Sequence, residues 1–363
     1  MSKKLSRNKK IVIITALSLV LVFGLTMLGL VLGYSLAPYG VEPKISARAE
    51  NVILLIGDGM GKNHIEIASF FDTPVFTELA AIGDVTTRSL DFLPTDSAAA
   101  ATAMATGKKV WNRNISHLNG KDLTNLGEVT KQYGKKLGVI STKSVTDATP
   151  AAFTAHTKVR SKQKDIAKQQ IFESGADVIF GLGREYYDPY AAQIETTDRG
   201  YYNTFAALQL NQKSKAFAIF DDPIPNEGLF SLSGLTEIAL AMLENDNGFF
   251  LMVEGAKIDT YSHKNEMEKM LAEFWAFNAA VEVALKYAQT HPNTTVIITA
   301  DHETGKLTLP KTLSAESINN KCFRSGSHTA RDVSYFAYGA GAAEIPNRID
   351  NTDIFYIIKQ LLS

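Results

Sequence analysis

The chain has 363 residues, with 37 Lys and Arg against 38 Asp and Glu and a formal net charge of −1. A balance so near neutral gives no support for nucleic-acid binding, which draws on a basic patch or a basic chain. The lone Cys322 excludes an internal disulfide, so the fold draws no stability from one.

Residues 1–10 carry Lys3, Lys4, Arg7, Lys9 and Lys10 and no acid, and residues 11–33 carry no charge at all. Twenty-three such residues make roughly 35 Å of helix, enough to cross a hydrocarbon core of about 30 Å. The reading is an uncleaved transmembrane anchor, with its basic end in the cytoplasm and the remainder of the chain outside, in the periplasm or at the cell surface. A cleavable leader that releases a secreted protein is the alternative, because Ala47-Arg48-Ala49 has small-x-small spacing. Residues 34–50, with Pro38, Gly40 and Pro43 and few large apolar side chains, read as a tether. Residues 51–363 read as one large α/β domain.

Apolar runs then alternate with amphipathic stretches, which predicts an α/β fold: a mostly parallel central sheet with helices on both faces. Asn51–Ile56 is a strand ending in Gly57-Asp58-Gly59. Ala98–Thr106 is a helix stopped by Gly107, and Leu126–Tyr133 another, stopped by Gly134. Strands at Lys136–Thr142 and Asp177–Leu182 flank a helix at Asp165–Glu173. Thr236–Leu243 is helical, Phe249–Val253 is a buried strand running into Glu254, and Glu266–Ala288 is a long helix. Thr294–Thr299 is a strand feeding Asp301-His302. Val333–Tyr338 follows His328, and Asp353–Leu361 closes the chain as a helix.

The acidic and imidazole side chains gather where these runs end. In open α/β sheets ligands bind beyond the carboxyl ends of the strands, so residues distant in sequence meet at one edge. Glu254-x4-Asp259-x3-His263 is the strongest single cluster, since a helical turn places Asp259 and His263 on one face. Asp301-His302 follows the run Val296-Ile-Ile-Thr-Ala. Asp58 between glycines, Ser97 at a helix start and His328 in a loop each have ordinary readings as turn, cap and surface residues. Glu303 reads equally as a ligand, a neighbour of one or a solvated acid. His64, His117, His156 and His291 read as surface or satisfied core. Carboxylate and imidazole in this mix suit two Zn²⁺ and one Mg²⁺, and a serine beside them suits phosphoryl transfer.

Taken together, several segments resemble the alkaline phosphatase family. They are Asp58-Gly59-x-Gly61, Thr95-Asp96-Ser97-Ala98-Ala99-x-x-Thr102-Ala103 and Asp147-Ala148-Thr149-Pro150-Ala151-Ala152. Further along stand Glu254-Gly255-x-x-Ile258-Asp259-x-x-x-His263, Thr299-Ala300-Asp301-His302-Glu303-Thr304-Gly305, His328-Thr329 and Phe336-Ala-Tyr-Gly339. The match runs in the family's order over roughly residues 50–345.

The resemblance implies roles. Asp259, His263 and His328 would hold one zinc, and Asp58, Asp301 and His302 a second, facing Ser97. Asp58 would bridge to magnesium, completed by Thr149 and Glu254, with Asp147 reaching it through water. Arg160 would grip two phosphate oxygens as a fork. The implied reaction is hydrolysis of phosphate monoesters by double in-line displacement through a phosphoserine on Ser97. Thr260 and Ser262 depart from relatives that carry charged or imidazole groups there, which bears on metal preference and pH optimum. The stretch between Gly183 and Phe249 is where this chain would carry its own elaboration. Homodimerisation is usual in such enzymes, and here only the resemblance implies it. The rivals are a phosphodiesterase or sulfatase of the same superfamily and a non-catalytic phosphate-binding module.

Overall fold

The structure, a computed structural model, describes residues 42–363 apart from Phe92 and Thr197. The basic stub, the apolar segment 11–33 and residues 34–41 lie outside the described residues. Among the described residues no helix is long and apolar enough to cross a membrane.

Ten strands build one sheet: β1 (Asn51–Gly57), β2 (Ala81–Thr86), β3 (Lys136–Ser144), β4 (Val178–Leu182), β5 (Arg199–Tyr202), β6 (Lys215–Phe220), β7 (Phe249–Gly255), β8 (Thr294–Thr299), β9 (Val333–Gly339) and β10 (Arg348–Asp350). Their order across the sheet is β10-β2-β9-β8-β1-β7-β3-β4-β6-β5. β9 alone runs against the rest, pairing antiparallel with both β8 and β2. Every residue of β1, β7 and β8 is buried. A strand covered on both faces has no polar side to alternate with, which is why these three are built round continuous apolar stretches, Val52–Ile56, Phe249–Val253 and Val296–Ile298.

Besides two short helical turns at Ala191–Ile194 and Phe205–Gln209, the helices are α1 (Lys62–Phe71), α2 (Ser97–Thr106), α3 (Leu126–Gln132), α4 (Ala148–Ala152), α5 (Gln163–Phe172), α6 (Leu232–Leu243), α7 (Lys257–His263), α8 (Met267–Thr290) and α9 (Asp353–Leu362). They sort into two packed groups. α9 lies on α2, α3 and β1, whereas α8 lies on α6, α7 and the three central strands β1, β7 and β8. All ten residues of α2 are buried, as the composition of an alanine-rich helix with no polar face requires. Its small side chains let α4 approach closely, with Ala98, Ala148 and Ala151 sharing one small core with Ile115, Ala155 and Ile166.

Four neighbouring parallel strands, β8, β1, β7 and β3, pair in register and end at the same edge. Asp301, Asp58, Glu254 and Asp147 therefore emerge side by side. Of the stretch read as a tether, residues 42–50 belong to the packed unit. Ile45 and Ala49 are buried, the Gln360 side chain bonds both Ile45 N–H (3.0 Å) and the Pro43 carbonyl (2.8 Å), and Ala49 N–H reaches the Leu361 carbonyl at 2.8 Å. The region 183–249 supplies β5 and β6, which complete one edge of the sheet, with Phe205 packed between Phe220 and Phe230.

Two further contacts set the loop after β1. Gly255 has no room for a side chain, because a Cβ there would stand 2.8 Å from Cδ2 of Phe277 on α8. His64, wholly buried on α1, takes the Gly61 N–H on Nδ1 (3.2 Å) and faces the Ser262 hydroxyl with Nε2 (3.0 Å). An Nδ1 that accepts is unprotonated, so the neutral ring donates from Nε2 and joins the Asp58 loop to α7. Burial lowers the His64 pKa to about 3.

Two outcomes follow from this packing. Gly255→Ala is expected to cost about 1–3 kcal/mol through overpacking, read as a lower midpoint of thermal unfolding. In the metal-free protein, His64 binds a proton when unfolded, near pH 6.5, but when folded only near pH 3. The unfolded state holds more protons in that window, so stability falls as pH drops from about 6.5 towards 3, by up to about 1.4 kcal/mol per unit for this histidine. Denaturant unfolding at several pH values should show a shallower slope in His64→Gln, and an unchanged slope would contradict the assignment.

Candidate active site

Asp58 leaves β1 at the turn Gly57-Asp58-Gly59-Met60-Gly61. Gly59 adopts φ +75°, and a Cβ there would lie 2.8 Å from the Asp259 Cα. Only glycine lets the loop lie so close to α7. The Gly59 N–H donates to Asp301 Oδ1 (3.0 Å), which also takes the N–H of His302 (2.8 Å). One Asp301 oxygen is thereby fixed on backbone. Its other oxygen, Oδ2, and Oδ1 of Asp58 are buried without a hydrogen-bond partner.

His302 stands between two groups of ligand-type atoms. Its Nε2 lies 3.1 Å from Asp301 Oδ2 and 3.7 Å from Asp58 Oδ1, and 3.3 Å from the Ser97 hydroxyl. The three side chains Asp58, Asp301 and His302 form one cluster able to hold a cation. The second cluster centres on Asp259, whose Oδ1 is 3.2 Å from His263 Nε2 and 3.5 Å from His328 Nε2. The two imidazole nitrogens are 3.1 Å apart. His263 Nδ1 faces the Gly326 carbonyl (2.7 Å) and His328 Nδ1 the Thr95 carbonyl (2.9 Å). A carbonyl accepts only, so both Nδ1 atoms carry the proton. Without an ion the Asp259 carboxylate raises His263, and raises His328 against its burial, so that both also favour a proton on Nε2. Loss of that proton would leave both Nε2 atoms as lone-pair donors. The His302 and His328 rings stack at 3.6 Å between centroids, joining the clusters.

Ser97 is the first residue of α2, with Asp96 as the cap accepting from Ala99 N–H at 2.9 Å. The serine hydroxyl thus sits in the positive field of the helix start, 3.3 Å from His302. Arg160 donates from Nη2 to Asp147 Oδ1 (2.7 Å) and from Nη1 to Asp96 Oδ2 (3.3 Å). Glu254 takes the Ser141 hydroxyl at 2.5 Å. The buried Thr149 hydroxyl stands beside Glu254 without closing a hydrogen bond to it.

Electrostatics separates the carboxylates. Burial, reinforced by Asp301 and Asp259, pushes Asp58 well above the usual range. Burial raises Glu254 to about 7, although the Ser141 hydroxyl pulls the other way. Burial acts on Asp259 too, but His263 and His328 more than offset it and hold that group well below the ordinary value. Burial lowers His302 to about 4, keeping the ring neutral. Arg160 stays protonated despite burial because Asp147 and Asp96 flank it.

All eleven residues named from the sequence fall in this region, and one that was not named joins them. Lys143, two residues along β3 from Ser141, is raised above the ordinary lysine value against the effect of burial, by Asp58, Asp259, Asp147 and Glu254. It forms no ion pair within 4.0 Å among the described residues and acts as a diffuse counter-charge to the acids. Its only sequence signal is a basic residue at a strand end four positions before Asp147. Glu303, left open above, is a brace: Oε1 takes Leu307 N–H at 2.8 Å and Oε2 takes the Thr329 hydroxyl. It ties the strand pair 303–304/328–329 that presents His328. The remaining histidines are satisfied elsewhere: His117 on Asp122, His156 on Glu128 and Ser116, His291 stacked on Tyr287.

Comparison with known proteins agrees with this geometry. The family model described as alkaline phosphatase matches residues 49–218 and 225–320. Alkaline phosphatase 4 of Bacillus subtilis (strain 168) is 33% identical over 291 residues, spanning 72% of this chain and 63% of the relative. The chain thus covers a little under two thirds of that relative's length. Alkaline phosphatase of Escherichia coli (strain K12) is 29% identical, covering 86% of each chain. The solved alkaline phosphatase of the Antarctic bacterium TAB5 superposes with a TM-score of 0.78 at 32% identity, over 88% of this chain and 99% of that one. The chain belongs to the alkaline phosphatase family.

Proposed function

We propose that this protein hydrolyses phosphate monoesters and releases inorganic phosphate, through a phosphoserine on Ser97 with two zinc ions and one magnesium. The observation that carries the reading is the Ser97 hydroxyl at a helix N-terminus, 3.3 Å from an imidazole set among carboxylates with unpartnered buried oxygens. A buried carboxylate oxygen without a protein partner is costly, and a bound cation would offset that cost. The donor sets fit: Asp259, His263 and His328 for one zinc, Asp58, Asp301 and His302 for the other. Asp58, Glu254 and Thr149, with Asp147 beside them, suit a hard oxygen-seeking ion. Solved variants of the TAB5 enzyme carry magnesium in their M3 site. When bound, such ions stabilise oxyanion charge and favour the serine alkoxide over the alcohol.

The chain's own residues do the rest. Ser97 Oγ attacks phosphorus and the ester oxygen leaves. Water later splits the phosphoserine. The start of α2 turns backbone N–H groups towards the phosphate. Arg160 has five N–H donors, of which two are spent on Asp147 and Asp96, and the remainder of the fork serves phosphate oxygens. His302, neutral and fully buried, fixes the hydroxyl's direction. We also propose that residues 11–33 anchor the enzyme with its catalytic unit outside the cytoplasm; the uncharged run and its basic flank support this.

Ser97→Ala is expected to lower kcat/KM for an aryl phosphate by about a thousandfold or more, with thermal stability little changed; full activity in that variant would refute the mechanism. Exhaustive chelation should abolish turnover, and zinc with magnesium should restore it. An aryl diester or sulfate hydrolysed faster than the monoester would move the chain to the rival enzyme class.

A further inference from the structure

Arg113 is not explained by the machinery above. It holds φ +74°, a left-handed conformation that non-glycine residues seldom adopt and that collects at functional positions. Its backbone is clamped on both sides. The N–H donates to Asp96 Oδ1 and Oδ2, each at 3.1 Å, and the carbonyl takes the Arg160 N–H at 2.9 Å. Arg113 thus stands between the cap of the Ser97 helix and the arginine assigned to phosphate. Its side chain is exposed, and its guanidinium makes no hydrogen bond or ion pair among the described residues.

The neighbouring segments share this character. Asn112 takes the Asp96 N–H on Oδ1 (3.2 Å) and donates from Nδ2 to the Pro94 carbonyl (3.1 Å), stitching 111–113 to the segment that leads into Ser97. Trp111 is 45% exposed and Leu93 72%. Lys158, whose carbonyl takes the Asn114 amide at 2.8 Å, is exposed and forms no ion pair within 4.0 Å among the described residues. The acids on the same segments are already engaged, Asp91 by Asn112 N–H at 2.5 Å and Asp96 as above. The segments tied to the cap of the Ser97 helix therefore carry two uncommitted cations, Arg113 and Lys158, and the exposed Trp111.

We propose that these segments form a leaving-group subsite for nucleoside diphosphates, an inference that rests on the phosphatase reading. The terminal phosphate would meet Ser97, the inner phosphate Arg113 and Lys158, and the base the Trp111 face. Arginine is suited to a phosphate with two free oxygens, and a nucleobase stacks on indole without need of base-specific contacts. The bond from the terminal phosphorus to the bridging oxygen breaks as Ser97 Oγ bonds to phosphorus. The bridging oxygen keeps the electron pair and departs with the nucleoside monophosphate. Water then cleaves the serine ester, its oxygen ending in inorganic phosphate and its proton on solvent or product, and nothing is oxidised or reduced.

The test uses the full metal-loaded chain with ADP, AMP and ribose 5-phosphate. Arg113→Asn suits the left-handed backbone and should keep the fold. It is expected to raise KM for ADP about tenfold while leaving kcat and the KM for ribose 5-phosphate within about twofold. Trp111→Ala should raise KM for both nucleotides about fivefold, and leave ribose 5-phosphate unchanged. In Ser97→Ala, ADP should quench the Trp111 fluorescence, a binding readout independent of turnover. Equal changes for all three substrates in Arg113→Asn, or no preference of the native enzyme for ADP over AMP, would overturn the subsite. A native enzyme that hydrolyses none of the three would instead sink the phosphatase reading, and the subsite with it.

Discussion

Buried negative charge at the carboxyl ends of β8, β1, β7 and β3 is the constraint around which the rest is arranged. Asp58, Glu254, Asp259 and Asp301 are all under 10% exposed. Like charges so placed repel one another in a medium that screens poorly, and each pays to leave water. The raised values at Asp58 and Glu254 are that repulsion and burial made visible. Protein cations answer only part of it. Lys143 compensates from a distance, and Arg160 is taken up by Asp147 and Asp96. The neutral His302 contributes no charge. What remains is an excess of buried negative charge that bound cations would offset.

The fold accepts this burden because its centre is so apolar. β1, β7 and β8 are covered on both faces, and α8 and α9 press on β1 from two separate groups of helices. That core fixes where each strand stops, and the stops fix where the acids stand. The small residues carry out the final placement. Gly59 lets the Asp58 loop touch α7, Gly255 leaves space for Phe277, and the alanines of α2 bring Ser97 down onto α4.

Residues with strong local signatures could be read from sequence. The central strands were visible because two-sided burial demands continuous apolar runs, and Asp58, Glu254 and Asp301 could be placed at their ends. α6 begins at Leu232, earlier than Thr236, because Ser231 caps it by accepting the Gly234 N–H. β2 and β10 were not legible. β2 contains Gly83 and Asp84 and is mostly half-exposed, and β10 has only three residues, so neither carries a periodic pattern. α1 went unnoticed because its N-cap is Gly61, which offers no side-chain signal.

Site residues divided the same way. His263 and Asp259 could be paired from their spacing, since four residues on a helix is one turn. Lys143, His64 and Arg113 could not be singled out, because their meaning is tertiary: a field from distant acids, a tautomer set by Gly61 and Ser262, a backbone angle held by Asp96 and Arg160. Glu303 carried a ligand-like neighbourhood in sequence, yet its carboxylate turns to Leu307 and Thr329.

Diffraction from zinc-soaked crystals at the zinc absorption edge puts the central premise to the test most directly. The account predicts two strong anomalous peaks, one within bonding distance of Asp259, His263 and His328, the other of Asp58, Asp301 and His302 and next to the Ser97 hydroxyl. Crystals that take up zinc only at other positions, or none at all with these side chains unmoved, would contradict it.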